Sequence, residues 1–475
     1  MRASAKPAAF APKDILQHPA VLLGMVLLGG WAGAMLPQGQ GLFAACAALY
    51  LLLIQMAALP FAILALYFGL QRLQTVAAAP RLLATILALS LVGMLLCAVV
   101  GVAVASISGA GGHLTPQQLD DFGSLTLRAE TSVQMLRYGS DAAFSLPWQG
   151  GTLVPDNLFA ALAHGSMPAL MIGVLCFAAA AAAQGQEAGR ALGAILEASY
   201  RALESLVHQV NYFLPLMAFM LSASAAAAAG IDTIVLLGGF LATFLAGTLA
   251  LSALAVGVIS LRLRTSPLKV LTTLREPITV CLFSPVAVAA VPSLIDSMSE
   301  RLGYSRGLIE LCAPLTAVFI KAGEALFFAV LAIFVANLYD APPDAGALLW
   351  IVILSFVAAL LSVGVPGAKS VVLGGFVLAP LGLPLEAVLP VFMLVEVLCE
   401  GARNLLSLLI SSALIALVAE GLYIDQTQDF LSARLESVRF ICKRKHLLAM
   451  SILFGVALAG VFFAGVGVGL HEGLR

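Results

Sequence analysis

Nine apolar runs, each long enough to cross a bilayer, dominate this chain, near residues 20–36, 42–70, 82–108, 157–183, 211–229, 232–261, 308–338, 386–418 and 447–470. About 20 consecutive apolar residues span the hydrocarbon as a helix. A soluble chain is about a quarter charged; this one is 10% charged over 475 residues, with a mean hydropathy of +1.04. The runs account for the difference. The chain reads as an all-α integral membrane protein of many spans.

The net charge of −1 says little about partners, but the placement of Lys and Arg sets a topology. With Met1 inside and one crossing per run, the inner loops collect most of the basic residues, among them Lys6, Lys13, Arg72, Arg81, Arg201, Arg262, Arg306 and the RLESVRFICKRKH stretch at 434–446. The outer side keeps Arg128, Arg137 and Arg475. This asymmetry follows the positive-inside rule. Two shorter, broken apolar stretches at 278–297 and 347–380 must then enter and leave on one side, as re-entrant hairpins. Met1 to Asp14 is polar and no cleavable signal peptide follows it, so residues 1–14 are expected to be a cytoplasmic N-terminus.

Ionisable residues inside the apolar runs narrow the function. Lys321 and Glu324 lie in one run, Glu396, Glu400 and Arg403 in another. A charge at a membrane helix centre costs about 2.5–3.5 kcal/mol on insertion scales, so such groups face inward, pair, and handle an ion or solute. Glu396, Glu400, Arg403 and Ser407 are spaced four, three and four apart, which puts them on one helical face. Lys321 and Glu324 share another.

The second half also repeats itself: a broken hairpin precedes a span with Lys321, and a second broken hairpin precedes a span with Glu400 and Arg403. Interrupted segments at matching positions of two repeats point to a midplane transport site. The breaks are SPVAVAAVP at 284–292 and GVPGAKS at 364–370. Pro285, Pro292 and Pro366 remove backbone donors, and Gly364 and Gly367 permit turns.

These stretches resemble the dicarboxylate/amino acid:cation symporter family, the glutamate-transporter fold. LYLLLIQMAALPFAILAL (49–66), VPDNLFAALAHGSMPALMIGVL (154–175), APLTAVFIKAGEALF (313–327), SVGVPGAKS (362–370) and EVLCEGARNLLS (396–407) match its motifs in order. The resemblance implies eight transmembrane helices plus two re-entrant hairpins, to which this chain adds a ninth C-terminal helix. It implies a homotrimer in which scaffold helices (15–75 and 155–230) hold a mobile transport domain (80–107 and 231–420) that carries substrate by an elevator movement. Residues 108–154 form an extracytoplasmic loop, 421–446 a basic cytoplasmic linker and 447–475 the extra helix. A bacterial inner membrane is the expected location.

The site residues follow from the same resemblance. Arg403 retains the arginine that binds a side-chain carboxylate, and Glu400 stands where the family binds a substrate amine. Ser407, expected with Arg403 and Glu400 among the substrate-binding residues, and Ser411 replace residues that complete sodium sites. Val286, Ala287 and Val288 replace a serine-rich hairpin tip that helps bind the substrate, and both tips are expected to contact the substrate and act as gates. Gly364, Val365, Pro366, Gly367 and Lys369 form the second tip, where Lys369 attracts an anion or snorkels to the surface. Ile320, Lys321, Ala322 and Glu324 occupy the motif that supplies sodium ligands. The chain is therefore a divergent member with an altered cation site.

The expected function is secondary active transport of small organic acids, dicarboxylates or acidic amino acids, with weak or no sodium coupling and proton coupling or exchange instead. Lys321 stands in for the cation, balancing Glu324, Glu396 or Glu400. Alternatively, these charges neutralise one another permanently and only fix the fold. A transport-defunct relative with a structural or signalling role, and a passive anion conductance, are the rival readings. No cofactor, no metal site and no nucleic-acid partner is expected, and no nucleophile–base set suggests an enzyme. The partners are the organic acid, lipid and two further copies of the chain. The seven cysteines include no CxxC pair, and residues 186–208 have the spacing of an interfacial amphipathic helix.

Overall fold

A computed structural model describes residues 19–73, 79–112, 157, 167–182, 186–229, 237–284, 287–362, 369–383 and 389–419. Among them the backbone is helical, in fifteen α-helices joined by turns and short 3-10 or π segments. The helices are α1 (Pro19–Met35), α2 (Gln40–Leu73), α3 (Ala79–Ser108), α4 (Met167–Ala182), α5 (Gln186–Val210), α6 (Leu214–Ala229), α7 (Gly238–Leu263) and α8 (Pro267–Thr273). They continue with α9 (Arg275–Phe283), α10 (Val291–Asp296), α11 (Arg306–Phe319), α12 (Ala322–Leu338), α13 (Ala345–Leu361), α14 (Lys369–Leu378) and α15 (Leu389–Val418). Six stretches of the described residues are long and apolar enough to cross a membrane: 37–68, 84–108, 192–227, 238–263, 306–338 and 398–418. The apolar run at 447–470 lies outside the described residues, as do the loop at 113–156 and the basic stretch at 434–446.

The chain divides into two compact units. The described residues of one are 19–54 and 206–229. In it α1 packs along α6, and the close approach depends on glycine: a Cβ on Gly33 would sit 2.1 Å from the Ala223 carbonyl oxygen. Phe43 meets Phe219 edge-on at 6.4 Å, and the Tyr50 hydroxyl donates to Asn211 at 3.3 Å.

The other unit holds the described residues between 55 and 205 and between 237 and 419. Its centre is α12, which is buried on every side for most of its length and packs against α3, α7, α13 and α15. A helix that is apolar all round belongs in such an interior. Phe327 and Phe334 of α12 interlock with Phe240 and Phe244 of α7 at centroid distances of 5.5–5.9 Å.

The apolar run expected as one span at 308–338 is two helices. Backbone hydrogen bonding stops at Ile320, which is extended (φ −87, ψ 101), and resumes after Lys321 (φ −107, ψ 50). Neither residue is a glycine or proline; Pro314 lies within α11 itself. The break brings backbone polar groups and Lys321 together inside the unit, a depth at which irregular backbone is tolerated only within protein or beside a cavity.

Around the first expected hairpin, α9 and α10 pack on each other through the 3-10 turn at Ala287–Ala290. Around the second, α13 packs on α14. Asp344 caps α13 by accepting from the Ala347 amide at 2.7 Å.

Candidate functional site

The charged residues of the two apolar runs meet where the first turn of α12 crosses the middle of α15. The crossing is a backbone-to-backbone contact. A Cβ on Gly323 would stand 2.2 Å from the Arg403 carbonyl oxygen and 2.4 Å from its Cα. On the other side of α15, a Cβ on Gly401 would stand 2.0 Å from the Leu282 carbonyl oxygen of α9. Two glycines therefore let α12 and α9 press directly onto α15 on either side of Arg403.

Arg403 is the centre of the site, its side chain only 4% exposed. Its Nη1 donates to Glu324 Oε2 at 2.7 Å, a short charge-assisted bond. Its Nη2 donates to the Glu396 backbone carbonyl at 3.0 Å. Its guanidinium carbon lies 4.6 Å from the centroid of the Phe327 ring, a cation–π contact. Lys321 is half-buried and within electrostatic range of Glu324, Arg403 and Glu400. Glu400 in turn lies within the field of Arg403, Glu324, Glu396 and Lys321. Two cations thus face three carboxylates in one half-buried cluster.

Ser407 is buried one turn beyond Arg403. Its hydroxyl donates to the Arg403 carbonyl at 2.9 Å and accepts from the Gly323 amide at 3.1 Å. Ser411 continues the row by donating to the Ser407 carbonyl at 2.7 Å. Asn404 donates to the Ser284 carbonyl at 3.3 Å, tying α15 to the end of α9. Of the first-tip residues, Ala287 is half-buried and Val288 buried in the 3-10 turn, while Val286 lies outside the described residues. Gly364, Val365, Pro366 and Gly367 also lie outside them, and Lys369 is the first residue of α14.

The structure thus assembles Lys321, Glu324, Glu396, Glu400, Arg403 and Ser407 in one place. Sequence reasoning passed over Gly323, Gly401, Phe327 and Asn404. Phe327 follows Glu324 by three, so helical spacing could have found it; nothing in the sequence distinguishes the two glycines.

A second polar cluster was also missed. Arg306, read from the sequence as a topogenic loop charge, opens α11, and its Nε donates to Glu310 Oε1 at 2.8 Å. Its other nitrogens lie 3.3 Å from Glu204 of α5, 3.7 Å from Glu300 and 3.9 Å from Asp296. Glu310 is 1% exposed. An Arg four residues before an acid in an apolar run was the available signal. A cavity of about 480 Å³ adjoins the cluster, lined in part by Phe68, Tyr200, Glu204 and Arg306. Among the described residues no three His, Cys, Asp or Glu side chains are placed to hold a metal ion.

What the first cluster can do chemically is hold a carboxylate. Arg403 already does so with Glu324 through Nη1, with the Phe327 ring against the guanidinium. The sequence model of the sodium:dicarboxylate symporter family matches residues 18–421 of this chain. The C4-dicarboxylate transport protein 2 of Pseudomonas aeruginosa is 23% identical over 360 residues, covering 74% of this chain and 78% of that protein. The C4-dicarboxylate transport protein of Azorhizobium caulinodans is 23% identical over 373 residues, covering 77% and 81%. That of Xanthomonas campestris pv. campestris is 24% identical over 280 residues, covering 58% and 60%.

Proposed function

The chain belongs to the sodium:dicarboxylate symporter family, and from that premise we propose that it is a secondary active transporter of small dicarboxylates in a bacterial inner membrane. It is a multi-pass membrane transport protein rather than an enzyme. The observation that carries the finer reading is the Arg403–Glu324 pair at the α12–α15 crossing, 2.7 Å long and largely buried.

In this reading the substrate carboxylate competes with Glu324 for the Arg403 fork, a planar donor set matched to a carboxylate. Once displaced, Glu324 has lost its counter-charge in a poorly solvated place, where an unpaired charge is very unfavourable. A proton from solution discharges it. Anion binding and proton uptake are thereby linked: the substrate carboxylate joins Arg403, and the proton joins Glu324. Lys321 offsets one of the remaining carboxylates, Glu400, as a tethered cation. Sodium is then dispensable.

The helices α3 and α7 to α15 form the moving body in this proposal, with α1, α2 and α4 to α6 as the scaffold of a homotrimer and the N-terminus cytoplasmic. The loss of the family's serine-rich tip, replaced by Val286, Ala287 and Val288, favours a second reading in which the chain no longer transports.

Proteoliposomes loaded and diluted to impose a proton gradient, a sodium gradient or neither, and assayed with labelled succinate, fumarate, malate and aspartate, test both. Uptake driven by protons or by internal dicarboxylate supports the proposal. Strict sodium dependence sinks the coupling scheme. No uptake and no specific binding of any of these compounds favours the second reading.

A further inference from the structure

The amide of Gly323 occupies the second position of α12, one of the four N-terminal amides that no carbonyl within a helix can satisfy. A residue at the helix start usually supplies the missing acceptor, but here that residue is Lys321, and it makes no side-chain cap. The acceptor comes instead from a helix distant in sequence. Ser407 Oγ accepts from the Gly323 amide at 3.1 Å. The same oxygen's proton goes to the Arg403 carbonyl at 2.9 Å. A carboxylate ligand needs a donor, and a serine has one proton to donate. In this arrangement that proton already has its acceptor.

We propose that Ser407 is a positioning residue: its hydroxyl, seated between the Gly323 amide and the Arg403 carbonyl, sets the register in which Glu324 meets the Arg403 fork, and it makes no bond to the substrate. The inference deepens the reading above, since it takes Arg403 as the group that receives the substrate carboxylate. Gly323 is the other half of the device. Without a Cβ it lets the first turn of α12 lie on the Arg403 backbone, and Glu324 is the very next residue. Removing the hydroxyl leaves the α12 start uncapped and free to slide along α15, which loosens the hold of Glu324 on Arg403.

The test needs no transport. Purified full-length protein is treated with phenylglyoxal, an arginine reagent, and modification of Arg403 is followed by peptide mass spectrometry. Ser407→Ala should accelerate Arg403 modification by about 2- to 10-fold, the range for removal of one hydrogen bond. Ser407→Thr, which keeps the hydroxyl, should restore the slow rate. In a Glu324→Gln background Ser407→Ala should add little, because the two changes act on one contact and are not independent. An equal acceleration in both backgrounds overturns the proposal, as does no acceleration in either. If the wild-type protein fails to transport while this pattern holds, the transport reading falls and the positioning role stands.

Discussion

Glu324 and Arg403, 79 residues apart in the chain, hold each other at 2.7 Å across the crossing of α12 and α15, with Phe327 beneath the guanidinium. This pair joins the two halves of the sequence repeat, and the function proposed for the chain depends on it.

Arg403→Ala should therefore remove uptake without abolishing assembly. Losing one partner of a buried, hydrogen-bonded charge pair costs about 2–5 kcal/mol, which is about 30-fold or more in uptake at sub-saturating dicarboxylate. Arg403→Lys should recover little, because an ammonium lacks the planar fork. Initial uptake rates beside size-exclusion profiles check both halves of the statement.

The same substitution should destabilise the protein, since it strands Glu324. The penalty for breaking a buried pair is about 3–5 kcal/mol, and the Glu324 side chain, 21% exposed, belongs at the lower end. Adding Glu324→Gln to Arg403→Ala should return part of the lost melting temperature. If the double variant melts below the single one, the pair is not what holds this crossing.

Gly323→Ala and Gly401→Ala should each be poorly tolerated. The new methyl would meet backbone at 2.2 Å and 2.0 Å respectively, with no flexible side chain to yield. Overpacking of this kind costs about 1–3 kcal/mol. Gly257→Ala on α7, where a Cβ meets nothing within 4 Å, serves as the control. A melting temperature for either variant equal to that of the control would contradict the packing described.

Lys321→Gln should leave the carboxylates of the site short of one cation. Uptake should fall by about 10-fold or more, the equivalent of about 1.4 kcal/mol, and recover in part as sodium or potassium is raised. Uptake measured across a salt series, with wild type flat over the same range, is the check. A fall that no cation relieves would argue that Lys321 touches the substrate itself.

Arg306→Gln should lower thermal stability by about 1–3 kcal/mol, the penalty for leaving a buried acceptor without its partner. The buried acceptor is Glu310, at 2.8 Å. The ion pairs with the more exposed Glu300 and Asp296, at 3.7 and 3.9 Å, should contribute little. Melting curves of Arg306→Gln, Glu300→Gln and Glu310→Gln separate these contributions; Glu300→Gln should be near neutral.

The amino-acid sequence alone determined that the chain is helical and membrane-spanning, because a long apolar run is a local property read directly from composition. It also singled out Lys321, Glu324, Glu400 and Arg403, which stand out against apolar neighbours whatever the fold and which the structure brings together. It did not reveal that α11 and α12 part at Ile320 and Lys321, where no glycine or proline marks the break. It did not reveal that Arg403 takes Glu324, because a charge's partner depends on which helices pack together and at what register. Glu310 escaped notice for the same reason, its partner Arg306 reading as one more positive residue of an inner loop. Gly323 and Gly401 were silent because a missing Cβ has consequences only through what stands opposite it, and only the tertiary structure decides what that is.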